Sequence, residues 1–431
     1  MGAMKFERKW FSNIAKKKYV KNGIWLYGLQ FFNTVLPLVT LPYITRVLGT
    51  ANYGTFSVVL NFVSYLQVAV EYGFALSATR EVALISVDKS DSKDKLSIIF
   101  SRVISARLFL FLCCLAITLI NIVIFNRPKE TNICFFVLSI SLIGYVLQEN
   151  WIFQGKQEMK FISICTIVAR VTTTLLIFIC IKNSSDIVLY CILYSLSPII
   201  ANTLGTIIAI KRYKLKFIRL KIRDIVKALK SGMYVFFTQL SSKVFGAIGI
   251  TFLGIFASSE DVGIYSAIYK IPYVLMLLWN PIAQIIYPIT SKKIVESNYD
   301  GYIFIKKLKK YILLLFGGIS FIVGVFAKTI TGIAFGEDYI QKFYVIYPLL
   351  LWMLLGINNN FEGIQTLVAS GHDREYSECF QMGVIATIVF NYVLIYFWGI
   401  NGAAVAPFIS EGILAILLHY RIRKIGIFVK L

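Results

Sequence analysis

Four ionisable side chains, Lys243, Lys270, Arg170 and Glu411, stand inside runs of sequence that are otherwise almost wholly apolar. A charge at the centre of a bilayer-spanning helix costs roughly 2.5–3.5 kcal/mol on insertion scales, so it normally faces a partner or a water-lined cavity. The chemistry open to lysine and arginine in such a place is anion binding, because both form charge-assisted hydrogen bonds to phosphate. Depth sharpens the choice. At about 1.5 Å per helical residue, Lys243 lies about 17 Å from the inner edge of its run and Lys270 about 11 Å from the outer edge of the next. In a hydrocarbon core of about 30 Å these levels nearly coincide, so antiparallel neighbours can hold the two cations close together. Gln239 stands one turn before Lys243 on the same face. Arg170 comes out about 14 Å deep, near the midplane. The competing reading of each cation is a structural ion pair or a side chain that snorkels to the interface. Glu411 is the one deep carboxylate; pairing with Lys243 and uptake of a coupling proton both remain open. Glu71 and Glu362 fall close to the inner edge and read as interfacial, and Arg46 reads as an anchor at the outer surface.

Other chemistries find no support. The seven cysteines form no C-x-x-C pair and lie mostly in apolar runs, where they read as small buried hydrophobes. Two histidines, His372 and His419, stand far apart, so no zinc motif forms, and no P-loop sequence is present. No metal and no cofactor is expected, other than a coupling ion such as a proton or sodium.

The elements that must position these residues follow from composition. Hydrophobic residues make up 58% of the 431 and charged residues 15%, against about 45–50% and 25% in soluble domains. Twelve spans can be marked: 22–44, 54–75, 103–125, 131–149, 161–181, 187–210, 232–256, 263–289, 311–327, 343–369, 379–398 and 402–418. The first, with its basic flank Lys16-Lys17-Lys18, reads as a span rather than a cleavable leader. With the N-terminus inside, 35 of the 44 Lys and Arg residues fall in inner segments and 6 in outer loops. That asymmetry places both termini in the cytoplasm. It also accounts for most of the net charge of +22 without nucleic acid, so no nucleic-acid partner is expected.

Basic residues from Lys211 to Lys230 interleave with apolar ones, which suits a segment lying on anionic inner-leaflet lipids. This linker divides six spans from six. An offset of 209 residues aligns Gly23 with Gly232, Gln30 with Gln239, Val35 with Val244, Gly54 with Gly263 and Ser57 with Ser266. Six intervening spans give both copies the same orientation, a parallel repeat of the kind alternating-access transporters use. Gln30 thereby joins Gln239 as a candidate. The expected fold is an all-α polytopic membrane protein of 12 transmembrane helices in two six-helix bundles. A basic N-terminus (1–21) precedes a first bundle (22–210), the linker (211–231), a second bundle (232–418) and a C-terminal segment (419–431). Pro37 and Pro42 in span one, and Pro272, Pro281 and Pro288 in span eight, predict bent helices. Outer loops are too short for an external catalytic domain.

Three motifs carry a family resemblance. Residues Leu36-Pro37-Leu38-Val39-Thr40-Leu41-Pro42-Tyr43-Ile44-Thr45-Arg46-Val47-Leu48-Gly49, followed by Tyr53-Gly54, resemble the opening signature of Wzx-type polysaccharide flippases. Glu71-Tyr72-Gly73-Phe74 and Gln148-Glu149-Asn150-Trp151-Ile152-Phe153-Gln154-Gly155 resemble further family patterns. The resemblance implies membership of the multidrug/oligosaccharidyl-lipid/polysaccharide exporter superfamily, with two six-helix bundles that open alternately to each side. It implies a cargo of undecaprenyl-pyrophosphate-linked oligosaccharide, such as an O-antigen repeat unit, moved from the cytoplasmic to the periplasmic leaflet of the bacterial inner membrane. A polysaccharide polymerase and chain-length machinery are the partners it implies. Pro42 and Arg46 would shape the outer gate, which adds Arg46 to the cavity candidates. An ion-coupled small-molecule exporter and a membrane polymerase are the alternatives.

Overall fold

The computed structural model describes residues 2–85 and 92–426. The side chains of the basic N-terminal segment, and residues 427–431 of the C-terminal one, lie outside the described residues. Among those described the chain is helical throughout, with no strand. The helices are α1 (Gly2–Glu71), α2 (Phe74–Ile85), α3 (Ser92–Ile124), α4 (Lys129–Ile140), α5 (Leu142–Val146), α6 (Asn150–Gly155) and α7 (Met159–Cys180). They continue with α8 (Ile187–Tyr213), α9 (Ile222–Phe256), α10 (Ser259–Glu296), α11 (Asn298–Val325), α12 (Ala327–Phe335), α13 (Ile346–Glu362) and α14 (Asp373–Ile425), with a π-helix at Gly363–Val368 between the last two.

Ten helical stretches among the described residues are long and apolar enough to cross a membrane. Two of them, Asn22–Ile85 and Asp373–Ile425, are long enough for two crossings each. Each is broken at a glycine of positive φ: Gly49 (φ 73°) and Gly399 (φ 52°), a backbone state closed to most L-residues. Ten stretches with two such breaks match the twelve expected spans. Pro37, Pro42, Pro272, Pro281 and Pro288 do not end their helices; α1 stays helical until Gly49, and α10 runs through its three prolines. The chain turns where glycine permits left-handed backbone, a larger change than the single hydrogen bond a proline removes.

Contacts divide the chain into two units, Met1–Thr40 with Phe62–Leu240, and Leu41–Asn61 with Ser241–Leu431. The division is not along the basic linker, and it assigns the stretch after Thr40 to the second unit. Backbone packing explains that assignment. A Cβ on Gly54 would stand 1.7 Å from the Ser259 carbonyl oxygen, and one on Gly263 would stand 2.0 Å from that of Thr50. The same 209-residue offset relates Thr50 to Ser259 and Gly54 to Gly263, so each contact is the repeat image of the other. Small residues four apart on both helices let the backbones touch, the usual solution where lipid removes a hydrophobic drive between helices. Asn61 Nδ2 donates to Thr251 Oγ1 at 2.8 Å further along the pair.

Each unit has its own core, built from helical stripes. In the first, Phe74, Ala78 and Val82 recur every four residues on α2 and pack with Ile99 and Val103 of α3 and with Trp151, Ile152 and Phe153 of α6. In the second, Met353, Ile357 and Phe361 of α13 do the same against Trp279 and Ile286 of α10 and Phe316 of α11. Large apolar residues also face outward, such as Phe321 at 73% and Trp398 at 59% exposure. A protein surface this apolar belongs against acyl chains.

Candidate functional site: a lysine pair and a buried carboxylate

The three sequence motifs turn out to build corners and close contacts. The first ends at the Gly49 break. Arg46 is exposed, and its guanidinium donates to the carbonyls of Gly332 and Ile333 near the end of α12. In the second, Tyr72 and Gly73 both take positive φ between α1 and α2, and the Tyr72 ring stacks on Phe236 with centroids 4.8 Å apart. The third supplies the Trp151–Phe153 core. It also holds Glu149, 1% exposed, within electrostatic reach of the fully buried Arg107 of α3. Arg107 Nη1 donates to the Gln148 carbonyl at 2.6 Å. The total of inner cations includes Arg107, although it falls within the expected span 103–125, and Glu149 enters the sequence reading only as part of a motif.

In the second unit, Lys243 of α9 and Lys270 of α10 are near enough to act on one another electrostatically, as their matched depths predict. Lys243 is half-buried. Lys270 is exposed. Its ammonium lies 5.6 Å from the Tyr273 ring centroid. Tyr273 ends a ladder on one face of α10, with Tyr265–Tyr269 and Tyr269–Tyr273 centroids 5.8 and 5.9 Å apart. Such a face attracts a cation electrostatically and presents flat apolar surface. Two ammonium groups held this close repel one another unless an anion stands between them. Arg170, Gln30 and Gln239 belong to the first unit. There Arg170 is half-buried within electrostatic reach of the Tyr145 and Tyr194 phenols, Gln30 is exposed, and Gln239 is half-buried one turn before Lys243 along α9.

Glu411 of α14 is 6% exposed. Asn359 Nδ2 donates to its Oε2 at 2.5 Å and to its backbone carbonyl at 2.9 Å. From there polar contacts continue in sequence. Asn358 Nδ2 donates to Asn359 Oδ1 at 3.2 Å, and Lys309 Nζ donates to Asn358 Oδ1 at 3.1 Å and to Glu362 Oε1 at 2.8 Å. His419 Nδ1 lies 3.7 Å from the same Glu362 oxygen. Glu362 is buried and paired, because α11 carries Lys309 against it. Hydropathy reads Lys309 as a loop cation, so the partner was invisible.

With this geometry in hand, likeness to other proteins can be weighed. Residues 19–294 match the family described as "Polysaccharide biosynthesis protein". The chain belongs to that family. The match bears out the resemblance carried by the three motifs. A family relative from Escherichia coli (strain K12), named "Putative O-antigen transporter", is 27% identical over 413 residues, covering 96% of this chain and 98% of its own. "Probable low-salt glycan biosynthesis flippase Agl15" of Haloferax volcanii is 19% identical over 93% of this chain and 83% of its own. Among solved structures, "Lipid II flippase MurJ, inward closed conformation" shares the fold with a TM-score of 0.74 at 15% identity, covering 95% of this chain and 89% of that one. An inward-facing multidrug resistance MATE family transporter of the MOP superfamily shares it with a TM-score of 0.66 at 12% identity, covering 91% and 98%.

Proposed function

We propose that this family member is a flippase that moves an oligosaccharide carried on undecaprenyl pyrophosphate from the cytoplasmic to the periplasmic leaflet of a bacterial inner membrane. The observation that carries the reading is the Lys243–Lys270 pair, two cations within electrostatic reach of one another, the second of them exposed. A pyrophosphate relieves the repulsion between them and forms charge-assisted hydrogen bonds to both. The prenyl tail then stays in lipid while the glycan crosses in water, and alternating access exchanges the leaflets. In this reading both termini are cytoplasmic. Glu411 binds the coupling proton or sodium, and an inside-negative potential adds about 2.3 kcal/mol per charge per 100 mV to outward movement of the anion. The relatives' names support the cargo class, and the shared fold supports transport as the activity. Lys243→Ala should abolish surface polysaccharide in a complementation assay while membrane-inserted protein remains at the wild-type level. Full complementation by the variant would remove the lysine pair from the mechanism.

A further inference from the structure

A cavity in the second unit has chemistry opposite to that of the lysine pair. It measures about 390 Å³ and is lined by Asn280, Gln284 and Tyr287 of α10, by Asn360 of α13, and by Gln365 of the π-helix, with Ala283 and Ile364 between them. Its size falls in the range of about 300–1,000 Å³ typical of small-molecule sites. No ionisable group other than the Tyr287 phenol lines it, so it offers a phosphate no compensating charge. Four primary amides instead present donors and acceptors side by side.

The backbone makes this arrangement. Asn280, Gln284 and Tyr287 recur at i, i+4 and i+7, one stripe of α10. On the facing element, residues five apart would be rotated by about 140° in a regular α-helix. The π-helical turn at Gly363–Val368 is wider, closing on i→i+5 hydrogen bonds such as Ala369 N–H to the Ile364 carbonyl at 3.1 Å. It brings Gln365 to the same cavity as Asn360. Single π-turns of this kind are frequent at functional sites. Gln365 is then fixed as a floor, donating from Nε2 to the Ala283 carbonyl at 3.0 Å and accepting from Thr290 Oγ1 at 2.7 Å. Asn280 and Gln284 are exposed at the rim, and Asn360 Oδ1 is a buried acceptor without a partner among the described residues.

We infer that this amide-lined cavity is a subsite for an uncharged sugar ring of the cargo. A sugar hydroxyl both donates and accepts, so neighbouring hydroxyls can pair with the two ends of one carboxamide. The Tyr287 ring supplies apolar surface for a C–H face. Lys270 and Asn280 share α10 ten residues apart, about 15 Å along the axis. One helix thus carries a charged subsite and a neutral one, suited to a ligand with a pyrophosphate at one end and hydroxyls beyond it. The inference rests on the proposed cargo and adds the place where its glycan is read.

The test uses two probes on the full chain in nanodiscs: bare undecaprenyl pyrophosphate, and the same lipid bearing one N-acetylhexosamine. Asn280→Ala combined with Gln284→Ala removes exposed side chains and leaves the Gln365 floor in place, so a monodisperse, wild-type-melting protein is expected. Affinity for the glycosylated probe should fall about 5–10-fold or more, since each lost hydrogen bond is worth about 0.5–1.5 kcal/mol, while affinity for the bare lipid stays unchanged. Equal loss for both probes, or loss for neither, overturns the sugar subsite and leaves the flippase reading standing when the wild type still binds the pyrophosphate lipids. Failure of the wild type to bind either probe overturns the cargo reading and the subsite with it.

Discussion

Both units hold buried or half-buried ion pairs, and they differ in what else they do with charge. In the first, Arg107 and Glu149 lie within electrostatic reach of one another at 0% and 1% exposure, with the Arg107 guanidinium 6.0 Å from the Phe74 ring centroid. Its other prominent charges are spent on structure: Arg212 donates from Nε and Nη2 to the two Glu158 oxygens at 2.6 Å, and Arg102 pairs with Glu81. In the second, a buried carboxylate is reached through amides, and two lysines share a neighbourhood in which one stays exposed. Opposed charges neutralise each other and fix a fold; like charges close together favour an anion between them. On the proposed reading, the difference separates a structural ionic cluster from a binding one.

The largest effect that bears on this contrast comes from the backbone seam within the second unit. Gly263→Leu sets a side chain against the Thr50 carbonyl, which cannot move aside. Its cost should exceed the ~1–3 kcal/mol usual for overpacking, and expression should yield aggregated protein by size-exclusion chromatography. Next, Arg107→Met removes the donor to the Gln148 carbonyl and the cation within electrostatic reach of Glu149, and should destabilise by about 1–3 kcal/mol in thermal unfolding, the cost of leaving a buried polar group unsatisfied. The double variant Arg107→Met with Glu149→Met should recover most of that loss and retain transport. A stable double variant that no longer transports would break the contrast, by showing that the first unit's pair also works on cargo.

A smaller change tests the second unit. Glu411→Gln keeps an acceptor for Asn359 Nδ2, so the fold should hold, while transport driven by an imposed proton or sodium gradient should drop roughly tenfold, the equivalent of about 1.4 kcal/mol. Unaltered gradient response would assign Glu411 a structural role like that of Glu149. The smallest effect belongs to Glu158. Burial works against its carboxylate, but hydrogen bonds from Arg212 and Tyr213 outweigh it and hold the group below the ordinary 4.5. A depressed carboxylate stabilises above its unfolded pKa, and that stability fades as pH falls through the folded one. Arg212→Gln should therefore cost under ~1 kcal/mol at pH 7, given partial exposure, and its melting temperature should converge on the wild-type value below pH 4.5.

Much of this was legible in the chain itself. Hydropathy located the crossings, and the offset of 209 residues picked out Gly54 and Gly263, which the structure brings into mutual contact. Depth arithmetic put Lys243 and Lys270 at one level because charge inside an apolar run is conspicuous. Uncharged amides are not. Asn280, Gln284 and Gln365 barely disturb an apolar average, and a π-turn leaves no compositional trace. Arg107 and Lys309 stand close to basic inner segments and were counted with them, although α3 and α11 carry both into packed helix. Their partners Glu149 and Glu362 lie about 40–50 residues away, out of reach of any local pattern.

The glycine seam has an evolutionary corollary. Each half of the contact is the 209-residue image of the other, so a side chain added at either glycine meets the same obstacle, a backbone carbonyl. Steric obstruction at either point is main chain, which no second-site mutation can trim. A clash with a side chain elsewhere can be relieved by trimming that side chain, but this crossing can only be kept whole or lost.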